Sequence, residues 1–143
     1  MEYFGSNKLG RTIILRLDQG DMVLESINEL IAKENITNGY IVSGIGTVDQ
    51  YNIHMVTTIG YPPNEYFDAK KGKPYELASL QGAIVDGYAH LHVVLSDTEK
   101  AFAGHLENGC RTLYLCEIII QEIEGLNLHR IFNDKNIKEI KNR

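Results

Sequence analysis

Beyond residue 40 the chain carries strand patterns almost without interruption, and only one earlier stretch has the periodicity of a helix. The helix pattern opens at Gly20-Asp21, with Asp21 as the expected N-cap, and ends near Asn35. Alternating or β-branched segments favour strands over residues 11–18, 40–48, 51–59, 75–85, 88–96, 113–123 and 126–132. One main helix and six or seven strands at hairpin spacing predict an α+β fold with a mainly antiparallel sheet.

A length of 143 residues suits one domain. We expect an N-terminal lead over residues 1–7 and a single domain over residues 8–132. Residues 133–143 are expected to form a polar C-terminal tail that frays or folds into a short helix.

Two connections follow from the turn residues. Residues 61–74 hold all three prolines and show no clear period, which predicts a long polar loop. Residues 126–132 are expected to pair with residues 113–123 across the Glu124-Gly125 turn.

The charge distribution excludes some functions. The net charge is −5, and residues 1–132 carry ten basic against seventeen acidic side chains, a charge of −7. Because phosphate binding needs a clustered basic surface, this charge disfavours direct DNA binding and binding to an anionic membrane. The only basic cluster lies in the tail: Lys135, Lys138, Lys141 and Arg143.

Three further features of the sequence indicate the cellular compartment. The N-terminus has no basic and apolar signal-peptide pattern, and no apolar run reaches the length of a membrane span. The two cysteines, Cys110 and Cys116, are too few for a disulfide framework and are expected to be reduced core residues. We therefore expect a cytoplasmic protein.

The clearest chemical pattern is His90-Leu91-His92 together with His105. Because strand side chains alternate, His90 and His92 share a face, with Cα atoms about 6–7 Å apart. Three imidazoles with a fourth position open are typical of a reactive zinc site, whereas histidines facing solvent or a polar interface are the alternative.

Other candidates are weaker. Glu76 is a candidate proton shuttle or base near the histidine pair. His54 is expected to be a surface or half-buried strand histidine, and His129 has no partner in the sequence pattern.

Taken in order, these segments resemble the plants and prokaryotes conserved (PPC) domain family over residues 8–125. In land plants this domain accompanies AT-hook segments of nuclear proteins, and in prokaryotes it usually stands alone. We expect a stand-alone member of the prokaryotic type here. The resemblance rests on Gly10-Arg11, Gly20-Asp21, Ser43-Gly44-Ile45-Gly46, the segment from Tyr75 to Gly82, His90-Leu91-His92, Gly104-His105-Leu106 and Glu117.

The resemblance implies a strongly bent antiparallel sheet, one main helix and a homotrimer. It also implies a zinc ion on the positions occupied here by His90, His92 and His105. Ala103 stands where the family usually has a second glycine, a small change in size. The DNA-binding label of the family comes from the AT-hook, and this sequence lacks its Arg-Gly-Arg-Pro core.

Three hypotheses follow. The first is a homotrimeric zinc-binding protein with a small-molecule site near the metal, compatible with metal-dependent hydrolysis. The second is a DNA-associated or regulatory protein. The third is a structural trimeric scaffold without metal, in which the histidines serve the subunit interface.

Overall fold

The computed structural model describes residues 1–143 and contains one helix and eight strands. In chain order these are β1 (Lys8–Asp18), α1 (Val23–Glu34), β2 (Asn38–Val56), β3 (Glu65–Val85), β4 (Tyr88–Ser96), β5 (Ala101–Leu106), β6 (Arg111–Glu124), β7 (Leu128–Phe132) and β8 (Lys138–Asn142). All strand pairings between these elements are antiparallel, so the α+β class and the antiparallel sheet are confirmed.

The main sheet has six strands in the order β1-β6-β2-β3-β4-β5, and it is bent until β5 returns to β2. The first part of β2 pairs with β6, and its later residues Ile53 and His54 pair with Leu106 and His105 of β5. Strands β2, β3, β4 and β5 therefore form a closed ring. This closure brings together histidines that are far apart in the sequence.

The helix covers the inner face of the bent sheet. Val23, Ile27 and Ile31 are fully buried and pack into the same core as residues of β1, β4 and β6. The predicted N-cap is wrong, because Met22 holds that position. The Asp21 carboxylate instead accepts a hydrogen bond from the backbone N–H of Asp18, which closes the turn between β1 and α1.

The end of the helix agrees with the sequence pattern. Asn35 follows Glu34 in the left-handed conformation, which asparagine tolerates better than most residues (φ 54°). No helix is long and apolar enough to cross a membrane.

Both cysteines lie in the core as free thiols, as predicted. Burial raises the pKa of Cys110 to about 12, so this thiol stays protonated and unreactive at neutral pH.

The predicted loop over residues 61–74 is wrong in its larger part, because β3 begins at Glu65. Residues 65–71 pair with the end of β2 on the side away from β5, and nearly all of them are exposed. Because both faces of this β3 segment are exposed to water, it needs no apolar alternation, and the sequence shows no strand pattern there. Pro74 lies within β3 beside an irregularity in the β2–β3 register, where the ladder does not need its missing N–H.

The C-terminal predictions also need correction. β7 does not pair with β6 but with β8, in a separate two-stranded sheet. The tail therefore neither frays nor forms a helix. Arg143 holds the hairpin of β7 and β8 (the C-terminal hairpin) against the β3–β4 turn through a salt bridge to Asp86 at 2.6 Å.

Candidate metal centre

The histidine pair of β4 lies on the outer face of the ring, as strand alternation predicts. Leu91 is buried in the core, and its neighbours His90 and His92 project to the opposite side. Gly82 lies opposite Leu91 on β3 with φ of 146°, and a Cβ there would collide with the backbone oxygen of His90. The glycine therefore lets β3 pass close behind the pair.

Closure of the ring adds two more histidines. His105 of β5 is directly opposite His92 on one side and His54 of β2 on the other. Directly opposed residues share a face, so these side chains meet. A Cβ on Gly104 would lie 2.8 Å from the backbone oxygen of His54, so the small residue permits the close approach of β5 to β2.

Three of the imidazoles form a nearly regular triangle. Ring centres are 5.6 Å apart for His90 and His92, 4.9 Å for His90 and His105, and 5.4 Å for His92 and His105. Three imidazoles around a tetrahedral ion, each with its nitrogen about 2.0–2.1 Å away, would have ring centres roughly 5 Å apart. The spacing of these rings fits such an ion.

A carboxylate that the sequence analysis missed orients the cluster. Oε1 of Glu107 accepts hydrogen bonds from Nδ1 of His54 at 2.7 Å and from Nδ1 of His105 at 2.8 Å. Because an ionised carboxylate only accepts, both Nδ1 atoms carry the proton. This assigns the tautomer of His105 and leaves its Nε2 lone pair free to bind a metal.

The electrostatics favour neutral rings. Burial and, after it, the neighbouring His105, Arg130, His92 and His54 together lower the pKa of His90 to about 4. Burial also lowers the pKa of His105, and the nearby His54 and His92 act in the same direction, whereas Glu107 opposes the shift. Since a metal binds the neutral imidazole, these shifts keep the lone pairs available at neutral pH.

His54 is a half-buried strand histidine, as expected, and it also belongs to this cluster, which the sequence did not predict. Its ring stacks on His105 with centres 4.5 Å apart, and its Nε2 is 3.8 Å from Glu65. Nothing local in the sequence places it there, whereas the spacing His105-Leu106-Glu107 repeats the alternation of the histidine pair and was a usable signal for Glu107. His54, His105 and Glu107 offer ligand-type atoms within 4.8 Å of one another, so the structure contains a His/Glu group of the kind that holds a metal.

Glu76 is not brought to the histidines. It lies opposite Ser96, four residues along β4 from His92, which corresponds to about 13 Å of strand. Its side chain lines a different cavity, with Ile45 and Tyr114.

Two cavities border the histidine cluster. The larger cavity, of about 490 Å³, is lined by His90 and His105 together with Arg130 and Lys138 of the C-terminal hairpin. The smaller cavity, of about 440 Å³, is lined by His54, His90, His92 and His105. The cluster is therefore accessible from two sides.

Fold and site together define a class: a small α+β protein whose bent sheet closes into a ring and presents a histidine–carboxylate group suited to a metal. The chain belongs to the Plants and Prokaryotes Conserved (PCC) domain family, whose model matches residues 4–124. The resemblance stated from the sequence over residues 8–125 is thereby confirmed.

Solved structures agree with this fold. A plant- and prokaryote-conserved (PPC) protein of Pyrococcus horikoshii is 28% identical, with a TM-score of 0.83 and coverage of 99% of both chains. A protein of Archaeoglobus fulgidus described as metal-containing is 24% identical, with a TM-score of 0.78 and 95% coverage of each chain.

A longer relative shares part of the sequence. The bifunctional protein GlmU of a Synechococcus strain is 23% identical over 109 residues, which are 76% of this chain. The match spans only 16% of the length of that relative.

Proposed function

We propose that this protein binds one zinc ion per chain on His90, His92 and His105, assembles as a homotrimer and binds a small molecule beside the metal. The observation that carries the metal assignment is the triangle of ring centres at 4.9–5.6 Å. The metal-containing relative of Archaeoglobus fulgidus, which has the same fold, supports it.

The roles of the surrounding residues follow from their contacts. Zinc held by three histidines supplies a Lewis acid with an open position. Glu107 fixes the proton on Nδ1 of His105, and the stacked ring of His54 restricts how far His105 can turn. His54 and Glu107 therefore orient the ligands without being ligands themselves.

An alternative ligand set of His54, His105 and Glu107 is disfavoured by distance. The Glu107 oxygen lies only 2.7–2.8 Å from each Nδ1, which is hydrogen-bonding distance. An ion between such atoms, at about 2.0–2.2 Å from each, would hold them roughly 3 Å apart or more. Glu107 and His54 therefore position His105 through hydrogen bonding and stacking, and they do not form a ligand set of their own.

The test is metal content by mass spectrometry on untagged protein after incubation with excess zinc. We expect about one zinc per chain in the wild type and almost none in a His90→Ala/His105→Ala double variant. His129→Ala is the matched control, because His129 lies on β7 opposite Lys141, and it should retain the metal. A metal-free wild type, or a double variant that keeps its zinc, would contradict the assignment.

The trimer is supported by an apolar patch on the outer face of the main sheet. Ile45, Tyr114 and Leu115 are between 45% and 69% exposed and line one cavity of about 440 Å³. Ile14 of β1 is 73% exposed on the same side of the sheet. Ile45, Tyr114 and Leu115 form an exposed apolar cluster of the kind that is typical of subunit interfaces, and Ile14 lies one row further along the sheet, beyond the charged pair Arg16 and Glu117.

Light scattering coupled to size-exclusion chromatography tests the assembly. The wild type should have three times the chain mass, and Ile45→Lys should dissociate because it buries a charge in the interface. Ile59→Lys, which alters a fully exposed residue outside the patch, should remain trimeric. A monomeric wild type, or a trimeric Ile45→Lys variant, would refute this interface.

The C-terminal cations do not form the clustered basic surface that DNA binding needs. Lys141 is paired with Glu2 at 2.7 Å and Arg143 with Asp86 at 2.6 Å, so only Lys135 and Lys138 of the four tail cations have no acidic partner. The remaining surface is acidic overall, which repels phosphates.

A further inference from the structure

The larger cavity contains two cations that the metal centre does not use. Arg130 of β7 and Lys138 of β8 line it together with His90 and His105. Both cations belong to the C-terminal hairpin, which lies beyond the family match of residues 4–124.

Neither cation has a counter-ion in the protein. The Nε atom of Arg130 is buried and has no hydrogen-bond partner, an arrangement that folded proteins usually avoid. The ammonium of Lys138 lies 5.3 Å from the ring centre of Phe132 and makes no salt bridge. Asp86 lines the same cavity, but Arg143 already engages it through both carboxylate oxygens.

The chemistry of the cavity points to an anion. A guanidinium binds a carboxylate or phosphate through parallel hydrogen bonds, and an ammonium adds a second positive charge. Val85 and Ala89 give the cavity an apolar wall, which suits the body of an organic molecule. A positive cavity in an otherwise acidic protein concentrates anions locally.

We propose that the larger cavity binds a small organic molecule through an oxyanion group, a carboxylate or a phosphate, held by Arg130 and Lys138. The rest of this ligand would then lie against His90 and His105. That the ligand lies beside a metal rests on the proposed function, whereas the anion site depends only on the two cations.

Nuclear magnetic resonance titration tests the anion site directly. The probes are inorganic phosphate and succinate, added to the full chain at constant ionic strength with chloride as the reference anion. We expect the Nε–H signal of Arg130 to shift with one of these probes and not with chloride. Whichever probe binds more tightly distinguishes a phosphate ligand from a carboxylate ligand.

Variants of the hairpin make the result specific. Arg130→Gln should weaken binding at least tenfold, and Lys138→Gln, which alters an exposed side chain with little risk to folding, should weaken it about threefold. Lys135→Gln is the matched control, because Lys135 lies over the ring of Tyr61 outside the cavity, and it should bind like the wild type. The proposal would be overturned if the wild type showed no saturable shift. It would also be overturned if Arg130→Gln and Lys138→Gln both bound the probe as tightly as the wild type does.

The metal is varied separately, so that failure of the two proposals can be told apart. Anion binding is compared in zinc-loaded protein, in chelator-treated protein and in the His90→Ala/His105→Ala variant. Binding that survives in the histidine variant but is lost in Arg130→Gln supports the cation site even without a metal. Binding that needs the histidines and zinc but tolerates both hairpin variants would assign the anion to the metal and refute this site.

Discussion

Replacing Glu107 by Gln should weaken zinc binding although the proposed ligands stay intact. The carboxylate oxygen accepts hydrogen bonds from Nδ1 of His105 at 2.8 Å and of His54 at 2.7 Å. A glutamine of the same shape removes the negative charge and offers an amide that can accept only through its oxygen. The hydrogen bond from Nδ1 of His105 then loses the help of the negative charge, so the ligating nitrogen of His105 becomes less basic.

The size of the effect follows from the exposure of the carboxylate. Mutation of such a partner typically costs 10–100-fold in metal affinity, or about 1.4–2.7 kcal/mol. The Glu107 side chain is 30% exposed, so water already screens part of its charge. We therefore expect the lower end of this range, about a tenfold loss of zinc affinity.

Competition with a chromophoric chelator at pH 7.5 measures this change. Glu65→Gln is the matched control, because Glu65 lies 3.8 Å from Nε2 of His54, beyond hydrogen-bonding distance. Its zinc affinity should stay within twofold of the wild type. If Glu107→Gln also binds zinc within twofold while His105→Ala loses it, the argument that Glu107 orients His105 is refuted.

Three further predictions concern the framework. Gly104→Ala places a Cβ 2.8 Å from the backbone oxygen of His54, so it should lower the free energy of unfolding in urea by about 1–3 kcal/mol and reduce zinc uptake. Unchanged zinc uptake would show that β5 and β2 can separate without harm to the site. Leu95→Ala truncates a fully buried core residue and should lower the free energy of unfolding by about 2–5 kcal/mol in the same assay. A loss below about 1 kcal/mol would mean that the core collapses around the gap. The pKa of His90 is about 4 when folded against 6.5 when exposed, so the unfolded state takes up this proton first. Metal-free protein should therefore lose stability as the pH falls from about 6.5 towards 4, and His90→Gln should show a shallower decline in urea midpoints; identical slopes would exclude His90 as the source.

Local rules account for the elements that the sequence predicted correctly. The helix stripe of Val23, Ile27 and Ile31 repeats with the helical period and is buried on one side. Leu91 between His90 and His92 alternates with the strand period, which placed both histidines on one face. Each of these signals depends on residues a few positions apart, so the sequence alone reveals it.

The errors arose where stability comes from pairing instead of burial. Residues 65–71 of β3 are mostly exposed and the C-terminal hairpin buries only Leu128, so their backbone hydrogen bonds leave little hydrophobic pattern to recognise. Asp21 is an N-cap candidate by residue type, but its carboxylate accepts a hydrogen bond from the backbone N–H of Asp18 and does not cap the helix. Residue preference could not show that competition.

The sequence by itself therefore determined the class of fold, the helix, the shared face of His90 and His92, and the acidic surface. The sequence also grouped His105 with this histidine pair, whereas only the tertiary structure brought His54, Glu107 and Arg130 to it. His54 and Glu107 meet at His105 only because the sheet bends until β5 closes on β2, and Arg130 reaches the larger cavity only because the C-terminal hairpin folds back. These contacts link residues dozens of positions apart, and no periodicity along the chain encodes the closing of a ring.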